Sequence, residues 1–400
     1  MSISNPVSAI NVLGRPLRLG VIGGGPGSFI GPIHMSAAVL DRRFVIAAGV
    51  LSSDAERAQA YGVAIGLPAS RAYASVDLML AGEAARAPDE RIEAVAVMTP
   101  NDRHYQDCLS ALEYGLHVIC DKPMVNSTSQ AQHLVETVER TQLVFCLTHN
   151  YSGYPMVRQA RAMVESGLLG DIRIVQAEYF QGGMALPVEA GELTAKLRWK
   201  LDAGRSGASL VMGDIGTHAH HLACYVTGSR VARVSADVGA VMPGRIFDDY
   251  AGILWRFENG ARGSCVVTQA AAGAENNIRV RIHGAKGMLD WQHSNPNYLV
   301  YAPLGESVQT LGRGDARLHP AAQRATRIAR GHPEGFRESF ANLYADFAEA
   351  IAARITGVPA DPLCSWSPGV RDGLWGLEFV EATLASSRQS GAWTTCHAGA

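Results

Sequence analysis

In the first 150 residues, short apolar runs alternate with segments in which apolar side chains recur every three or four positions. The runs predict strands and the periodic segments predict helices. Strands are predicted at 17–22, 44–51, 93–98, 117–120 and 143–147, and helices at 32–40, 54–61, 104–114 and 127–139. This alternation is typical of a parallel sheet with helices on both faces. We therefore predict an N-terminal arm at 1–16 and a doubly wound α/β domain at 17–150.

After residue 150 the pattern changes to short apolar runs joined by turn residues, among them Asn259 and Gly260, a hairpin signal. Such runs indicate a mostly antiparallel sheet. Strands are predicted at 170–180, 231–241, 249–257, 261–269, 277–283, 288–291 and 299–301, and helices at 336–355 and 367–386. We predict a second α/β domain at 151–388, followed by a loose tail at 389–400. Within this domain, 302–335 is predicted to be a polar solvated loop, with a lid or an oligomerisation arm as the alternative.

Polar clusters in the first domain follow the predicted strands directly. Because ligands bind at the carboxyl ends of the strands in doubly wound sheets, these clusters predict a binding cleft. The first is a glycine-rich loop in which Gly23 and Gly25 fit the dinucleotide pattern G-x-G-x-x-G, while Ser28 replaces the third glycine. Such a loop lets a pyrophosphate reach a helix N-terminus, although a glycine-rich turn without a ligand is the alternative. The predicted contacts are Gly23, Gly25, Pro26, Gly27, Ser28, Phe29 and Ile30.

The end of the second strand normally distinguishes NAD from NADP, because an acid there binds the ribose hydroxyl and a base binds the 2′-phosphate. Ser52 and Ser53 occupy this place, and Arg57 follows one turn later. With no basic residue directly at the strand end, we predict NAD without excluding NADP. The other predicted cofactor contacts are Ser52, Ser53, Arg57, Thr99, Pro100, Asn101, His104, Asp121, Lys122 and Asn150.

The second candidate site is the stretch 213–221, which contains Asp214, His218 and His221 and follows a glycine- and serine-rich turn. We expect Asp214 to cap a helix that begins there. A carboxylate four residues before an imidazole can hold one ring nitrogen while the other moves a proton. The alternatives are a capping residue with a core histidine, or a metal site formed by Asp214, His218 and His221. No metal is predicted.

Lys122 lies between Asp121 and Pro123 at the end of the fourth predicted strand. Pro123 fixes the turn and favours an extended conformation at Lys122. An isolated lysine at a strand end is usually a solvated surface group. In a cofactor cleft, however, its ammonium group can stabilise a developing negative charge, and we predict that function here.

Four segments together resemble the Gfo/Idh/MocA family of oxidoreductases, which includes glucose-fructose oxidoreductase and inositol dehydrogenase. They are the loop at 23–31, the segments 99–101 and 121–123, and the Asp-x-x-x-His pattern at 214–218, with Asp121 in place of the family's glutamate. The resemblance implies a Rossmann domain followed by an α/β domain with an open-faced antiparallel sheet. It also implies homodimers or homotetramers, and NAD(P)-dependent oxidation or reduction of a sugar, cyclitol, glycoside or related polyol.

By that resemblance the catalytic residues are Lys122, Asp214 and His218. His218 is expected to take a hydroxyl proton, Asp214 to orient His218 or a neighbouring hydroxyl, and Lys122 to stabilise the charge on oxygen. The predicted substrate contacts are Lys122, Tyr151, Arg198, Trp199, Asp214 and His218. Two other classes remain open: a non-catalytic dinucleotide-binding sensor and a metal-dependent hydrolase that uses the histidine cluster.

Composition excludes few classes but agrees with a globular enzyme, since 47% of the residues are hydrophobic and 18% are charged. The net charge of −2 gives no basis for nucleic-acid or membrane-surface binding. No apolar run is long enough to span a bilayer. Seven cysteines without CxxC spacing, and a first segment unlike a signal peptide, predict a cytoplasmic protein.

Overall fold

The computed structural model describes residues 8–187 and 202–397. The chain forms two compact units. The first consists of Met1–Val125, Ser129–Asn150 and Phe336–Gly373, and the second of Asn126–Thr128, Tyr151–Gly335 and Leu374–Ala400.

The described ranges contain strands and helices in both units. The strands are β1 (Leu17–Gly23), β2 (Phe44–Val50), β3 (Ala94–Met98), β4 (His117–Cys120), β5 (Phe145–Leu147), β6 (Ile172–Gln181), β7 (Val231–Gly239), β8 (Tyr250–Phe257), β9 (Arg262–Thr268), β10 (Asn276–Gly284), β11 (Gly287–Gln292), β12 (Tyr298–Pro303), β13 (Gln309–Gly312) and β14 (Thr394–Thr395). The helices are α1 (Ala9–Leu13), α2 (Ile30–Leu40), α3 (Ala55–Ala64), α4 (Val76–Ala84), α5 (Asn101–Glu113), α6 (Thr128–Thr141), α7 (Pro155–Glu165), α8 (Ala203–Ser206), α9 (Thr217–Thr227), α10 (Pro320–Arg324), α11 (Phe336–Thr356) and α12 (Val370–Arg388). Across both described ranges, no helix combines the length and the apolar character needed to cross a membrane.

The first unit is built on a five-stranded parallel sheet in the order β2-β1-β3-β4-β5. Every residue of β3 and β4 is buried. A strand with parallel neighbours is covered by helices on both faces, which explains why these two strands are apolar throughout. The predicted doubly wound sheet is confirmed.

The first unit also takes in a late segment of the chain, which the sequence placed in the second domain. Helix α11 packs against α2, and its Phe340 and Tyr344 rings meet the buried His34 ring edge-on at 4.9 and 5.9 Å between centroids. The Glu349 carboxylate of α11 accepts hydrogen bonds from the amide of Ala9, at 2.7 Å, and that of Ile10. The N-terminal arm therefore includes a short helix, α1, that is held by α11.

The second unit is built on a nine-stranded sheet in the order β13-β12-β11-β10-β6-β9-β8-β7-β14. All neighbouring strands run antiparallel except β6 and β9, which are parallel. Alternate residues of each strand point to one face, where α7 and α9 pack and where Trp255 and Trp291 are almost fully buried. The predicted mostly antiparallel α/β architecture is confirmed.

The segment 302–335 differs from the solvated loop that the sequence predicts. It contains β13, α10 and the buried Arg313, whose guanidinium donates to Glu334 at 2.7 Å and to the carbonyl oxygens of Ile328 and His332. These hydrogen bonds join Arg313 to the end of the segment, at 328–334. The tail at 389–400 also differs from the prediction, because β14 extends the large sheet beside β7.

Candidate active site

The glycine loop of the first unit has a backbone that only glycine can supply. Gly23 and Gly24 have φ values of 81° and 74°, in the left-handed region that favours glycine. A Cβ on Gly25 would lie 1.6 Å from the carbonyl oxygen of Leu51, so the loop packs directly on the end of β2. The sequence prediction of a tight, small-residue loop after β1 matches this backbone.

Helix α2 begins at this loop, at Ile30 rather than at residue 32. The Ser28 hydroxyl accepts a hydrogen bond from the amide of Gly31 at 3.0 Å, so the residue in the third glycine position satisfies a backbone donor in the first turn of the helix. Pro26, Gly27 and Phe29 are exposed around it. A small-residue loop in front of an 11-residue helix forms a cradle for an anion such as the pyrophosphate of NAD.

After the end of β2, two of the polar side chains form hydrogen bonds with nearby backbone amides. The Asp54 carboxylate accepts from the amide of Arg57 at 2.8 Å and caps α3, while the Ser52 hydroxyl accepts from the amide of Asp54. Ser53 and Arg57 are exposed. Asp54 therefore acts as a helix cap, and the hydroxyl groups of Ser52 and Ser53 remain the candidate ribose contacts.

His104, which the sequence suggested as a cofactor contact, is buried and connects the turns that follow two strands. Its ring nitrogens each lie 2.8 Å from a carbonyl oxygen, one of Thr99 after β3 and one of Pro123 after β4. The Thr99 hydroxyl donates to Asp107 at 2.9 Å. His104 thus fixes both turns through backbone oxygens rather than pointing at open space.

Asp121 anchors the turn that carries Lys122. One of its carboxylate oxygens accepts from the amide of Lys122 at 2.9 Å and from the hydroxyl of Thr148 at 3.0 Å, and His34 lies 3.7 Å away. Burial alone would raise the pKa of Asp121, but the neighbouring His34 ring and the charge of Lys122 hold that pKa well below its usual range. The carboxylate is therefore ionised and fixes the backbone of Lys122.

Asn150, after β5, is only 2% exposed, and its side-chain nitrogen has no hydrogen-bond partner among the described residues. A buried donor of this kind usually has a partner, because leaving it unsatisfied costs free energy. Together with the glycine cradle, Asn150 fits a strand-end site that a dinucleotide completes.

In the second unit, the helix that carries the candidate acid–base residues begins earlier than the sequence suggested, and Asp214 is not its cap. The Ser209 hydroxyl accepts from the amide of Met212 at 3.1 Å and donates to Asp248, whose carboxylate also accepts from the amide of Leu210 at 2.7 Å. Residues Met212–Gly216 then form a π-helical turn that leads into α9. Asp214 lies inside this turn, a local irregularity that is common at functional sites.

His218 is buried on α9 between two tyrosines. Its ring meets that of Tyr151 edge-on at 5.0 Å and that of Tyr179 at 6.2 Å between centroids. The Tyr151 ring also stacks on Tyr154, whose hydroxyl lies 3.0 Å from a ring nitrogen of His293. Tyr151, predicted as a substrate contact, thus forms part of the wall around His218.

Asp214 belongs to a hydrogen-bonded chain of uncharged side chains. Gln269 donates to its carboxylate at 2.8 Å and to the oxygen of Gln181 at 3.2 Å. Gln181 donates in turn to Asn276 at 2.6 Å and to Tyr179 at 3.2 Å. The chain joins Asp214 to the strand side chains around His218.

The other two histidines of the stretch do not share this environment. His220 stacks on Phe379 of α12 at 4.4 Å between centroids, and His221 packs against Tyr225 at 5.7 Å. Burial lowers the pKa of each to about 3, so both are neutral near neutral pH. Among the residues that the structure describes, no three His, Cys, Asp or Glu side chains are grouped to bind a metal ion.

Several residues of these sites escaped the sequence analysis. They are His34 and Thr148 in the first unit and Gln181, Gln269, Asn276 and His293 in the second. In sequence, all of these residues except His34 are recognisable only as polar positions in or beside apolar strands. Ordinary strands without a functional site have such positions too. Arg198 and Trp199, predicted as substrate contacts, lie outside the described residues.

Residues 17–149 match the model of an oxidoreductase family with an NAD-binding Rossmann fold, and residues 157–290 match the Gfo/Idh/MocA C-terminal domain. An uncharacterized oxidoreductase of Bacillus subtilis is 34% identical over 96% of this chain and 97% of its own. A levoglucosan dehydrogenase of Pseudarthrobacter phenanthrenivorans is 27% identical over 76% of this chain and 81% of its own.

Among solved structures, an inositol dehydrogenase homolog from Azotobacter vinelandii in complex with NAD⁺ superimposes with a TM-score of 0.89 at 35% identity, over 95% of this chain and 97% of its own. The same protein in complex with NADH and myo-inositol gives a TM-score of 0.86 over 95% and 98% of the two chains. The two family models match the two domains separately: the Rossmann model includes the glycine loop, and the C-terminal model includes the helix that carries Asp214 and His218. The chain belongs to the Gfo/Idh/MocA family of NAD-binding oxidoreductases, dehydrogenases that act on sugar and cyclitol hydroxyl groups.

Proposed function

We propose that this enzyme oxidises a secondary hydroxyl of an inositol-like cyclitol with NAD as the hydride acceptor, and that sugars and glycosides are its second class of substrate. The observation that carries the proposal is the chain of amide and phenol groups that links Asp214 to the surroundings of His218. Groups of this kind carry no net charge, so they suit a neutral polyol better than a carboxylate or a phosphate.

Similarity to the known relatives supports a cyclitol as the first class of substrate and a sugar or glycoside as the second. The inositol dehydrogenase homolog, crystallised with NADH and myo-inositol, is 35% identical over 95% of this chain. The levoglucosan dehydrogenase is 27% identical over 76% of it. The greater identity favours a cyclitol over an anhydrosugar.

The first unit holds the nucleotide. The pyrophosphate is proposed to lie against the loop that contains Gly23 and Gly25, at the N-terminus of α2, and the ribose hydroxyls at Ser52 and Ser53. When bound, NAD supplies the redox chemistry, since its nicotinamide ring accepts a hydride from the carbinol carbon. Asn150 provides a buried donor at the end of β5.

His218 is the proposed general base. It takes the hydroxyl proton of the carbinol as the carbon gives up its hydride, and the carbinol becomes a ketone. Asp214, four residues earlier, stabilises the imidazolium that results and keeps the ring in position. In the reverse direction the same imidazolium returns the proton to the alkoxide.

Lys122 is the proposed electrostatic group of the first unit. The ionised Asp121 fixes its backbone, so its ammonium group extends from a rigid turn. Donation from this group to the substrate oxygen lowers the free energy of the alkoxide-like charge in the transition state.

The test is an absorbance assay of NAD and NADP reduction by the full-length protein with inositol isomers, levoglucosan and free pyranoses. We expect reduction of NAD with an inositol isomer, and a loss of about 10²–10⁴-fold in turnover for His218→Ala. His133→Ala, at an exposed position on α6, is the matched control.

Wild-type turnover in the His218→Ala protein would remove His218 from the mechanism. Binding of NAD without reduction by any polyol would instead favour the sensor hypothesis.

We also propose a homodimer or homotetramer that assembles through the face of the large sheet opposite its helices, and a cytoplasmic location. Ile174 and Leu254 are 47% and 55% exposed on that face, where a partner would cover them. None of the seven cysteines, all of which lie within the described ranges, forms a disulfide bond, as expected in a reducing compartment. Analytical ultracentrifugation and thiol titration of the native protein test these two points.

A further inference from the structure

Gln269 has a rigid position at the end of β9. Its backbone amide donates to the carbonyl oxygen of Asp249 at 3.0 Å, and its own carbonyl oxygen accepts from the amide of Met184 at 2.8 Å. The residue is only 4% exposed. Its side chain therefore starts from a backbone that is held by two neighbouring segments, one after β6 and one before β8.

The orientation of the Gln269 amide follows from its two neighbours. Its nitrogen lies 2.8 Å from a carboxylate oxygen of Asp214 and 3.2 Å from the amide oxygen of Gln181. Two N–H groups match two acceptors. A flipped amide would instead place its oxygen against both of these oxygens, so only one orientation is stable.

The other hydrogen bonds that connect these side chains also have a fixed donor and acceptor. The Gln181 nitrogen donates to Asn276 and to the Tyr179 hydroxyl, the Tyr179 hydroxyl donates to Asn276 at 2.8 Å, and the Tyr151 hydroxyl therefore donates to Tyr179 at 2.7 Å. Because each donor hydrogen has an assigned acceptor, the chain is a rigid frame that supports Gln269.

This chain is unsuited to carrying protons. Amide side chains do not take up and release protons near neutral pH. Burial raises the pKa of Tyr151, and burial raises the pKa of Tyr179 well above its usual value. Both phenols therefore stay protonated, which leaves positioning rather than relay as the function of the chain.

We propose that Gln269 is a positioning residue that holds the Asp214 carboxylate at one place on the π-helical turn and thereby sets how readily His218 takes a proton. This inference rests on the proposed function of His218 as the base. Gln269 acts through Asp214 and has no chemical step of its own.

Two substitutions separate positioning from mere packing. Gln269→Met keeps the length and removes the donor, and we expect kcat to fall about 10-fold with little change in the KM for NAD. Gln269→Glu places a second carboxylate beside Asp214. We expect it to raise the pKa of His218 and to move the acid limb of the kcat–pH profile to higher pH.

Gln309→Met, the same change at an exposed position on β13, is the control and should retain the wild-type kcat and pH profile. Thermal melting of each variant verifies folding. A wild-type kcat in Gln269→Met together with an unshifted profile in Gln269→Glu would overturn the proposal.

A readout without turnover separates this inference from the proposed function. In protein labelled with ¹³C-histidine, the His218 resonance is assigned by its absence from His218→Ala and is titrated in the wild type and in Gln269→Met, which removes the donor to Asp214 without adding a charge. A changed titration midpoint supports positioning even if no polyol is oxidised, and an unchanged titration refutes it. Retained turnover in His218→Ala refutes the base assignment alone.

Discussion

At the scale of single residues, the two carboxylates of the proposed chemistry are held by partners distant in sequence. Asp121 is bonded to Thr148 and lies beside His34, and Asp214 is bonded to Gln269. Each partner fixes where a negative charge lies. The proposed catalytic side chains therefore fall in recognisable sequence motifs, whereas the side chains that hold them do not.

Lys122→Met should reduce turnover by about 10²–10⁴-fold, because the substrate oxygen then loses its cationic donor in the transition state. NAD affinity, measured by isothermal titration calorimetry, should change little, since the glycine loop and α2 are untouched. Lys286→Met, at an exposed turn between β10 and β11, is the matched control. Equal turnover in the two variants would contradict the proposed function of Lys122.

At the scale of elements, the start of the α9 region and the segment 302–335 depended on contacts from elsewhere in the second unit. Asp214 resembles a helix cap in sequence, but Asp248 binds Ser209 and the amide of Leu210, so the helix starts one turn earlier. Arg313 lies in a polar segment that resembles a loop, but it is 3% exposed and closes that segment through Glu334.

Arg313→Met should destabilise the second unit by about 3–5 kcal/mol, because the Glu334 carboxylate then stays buried without its cation. The expected signal is a lower midpoint of urea unfolding. Arg317→Met is the control, since the Arg317 side chain is 87% exposed and its ion pair with Asp315 contributes little. Equal midpoints for the two variants would contradict a structural function for Arg313.

At the scale of the whole molecule, each unit has a core that combines distant parts of the chain. The first contains α11 as well as most of residues 17–150, and the second contains most of α12 and β14 as well as residues 151–335. The core of the second unit also encloses His220 and His221 as neutral imidazoles. Burial of neutral histidines makes the stability of the protein depend on pH.

Stability should fall as the pH drops below about 6.5, because an unfolded chain protonates His220 and His221 there while the folded chain, with both pKa values at about 3, does not. The loss is roughly 1.4 kcal/mol per pH unit for each histidine. Urea midpoints near neutral pH and about two pH units lower measure it.

His220→Gln should reduce this dependence, and His332→Gln, at an exposed position, should leave it unchanged. An equal pH dependence in wild type and His220→Gln would show that His220 is protonated in the folded protein as well.

The sequence by itself determined the features that depend on local patterns. Apolar runs and periodicity located the parallel and antiparallel sheets, because strand and helix periods are written in consecutive residues. The glycine loop and the Asp-x-x-x-His stretch were recognisable for the same reason, since a turn and a helix bring nearby residues together.

Only the tertiary structure decided what depends on residues far apart along the chain. The partners of Asp121 and Asp214, the cap at Ser209, the closure around Arg313 and the place of α11 all come from segments separated by tens to hundreds of positions. Burial selects such contacts, because a polar group removed from water must find a partner in whatever segment packs against it. No periodic signal in one stretch encodes which segment that is.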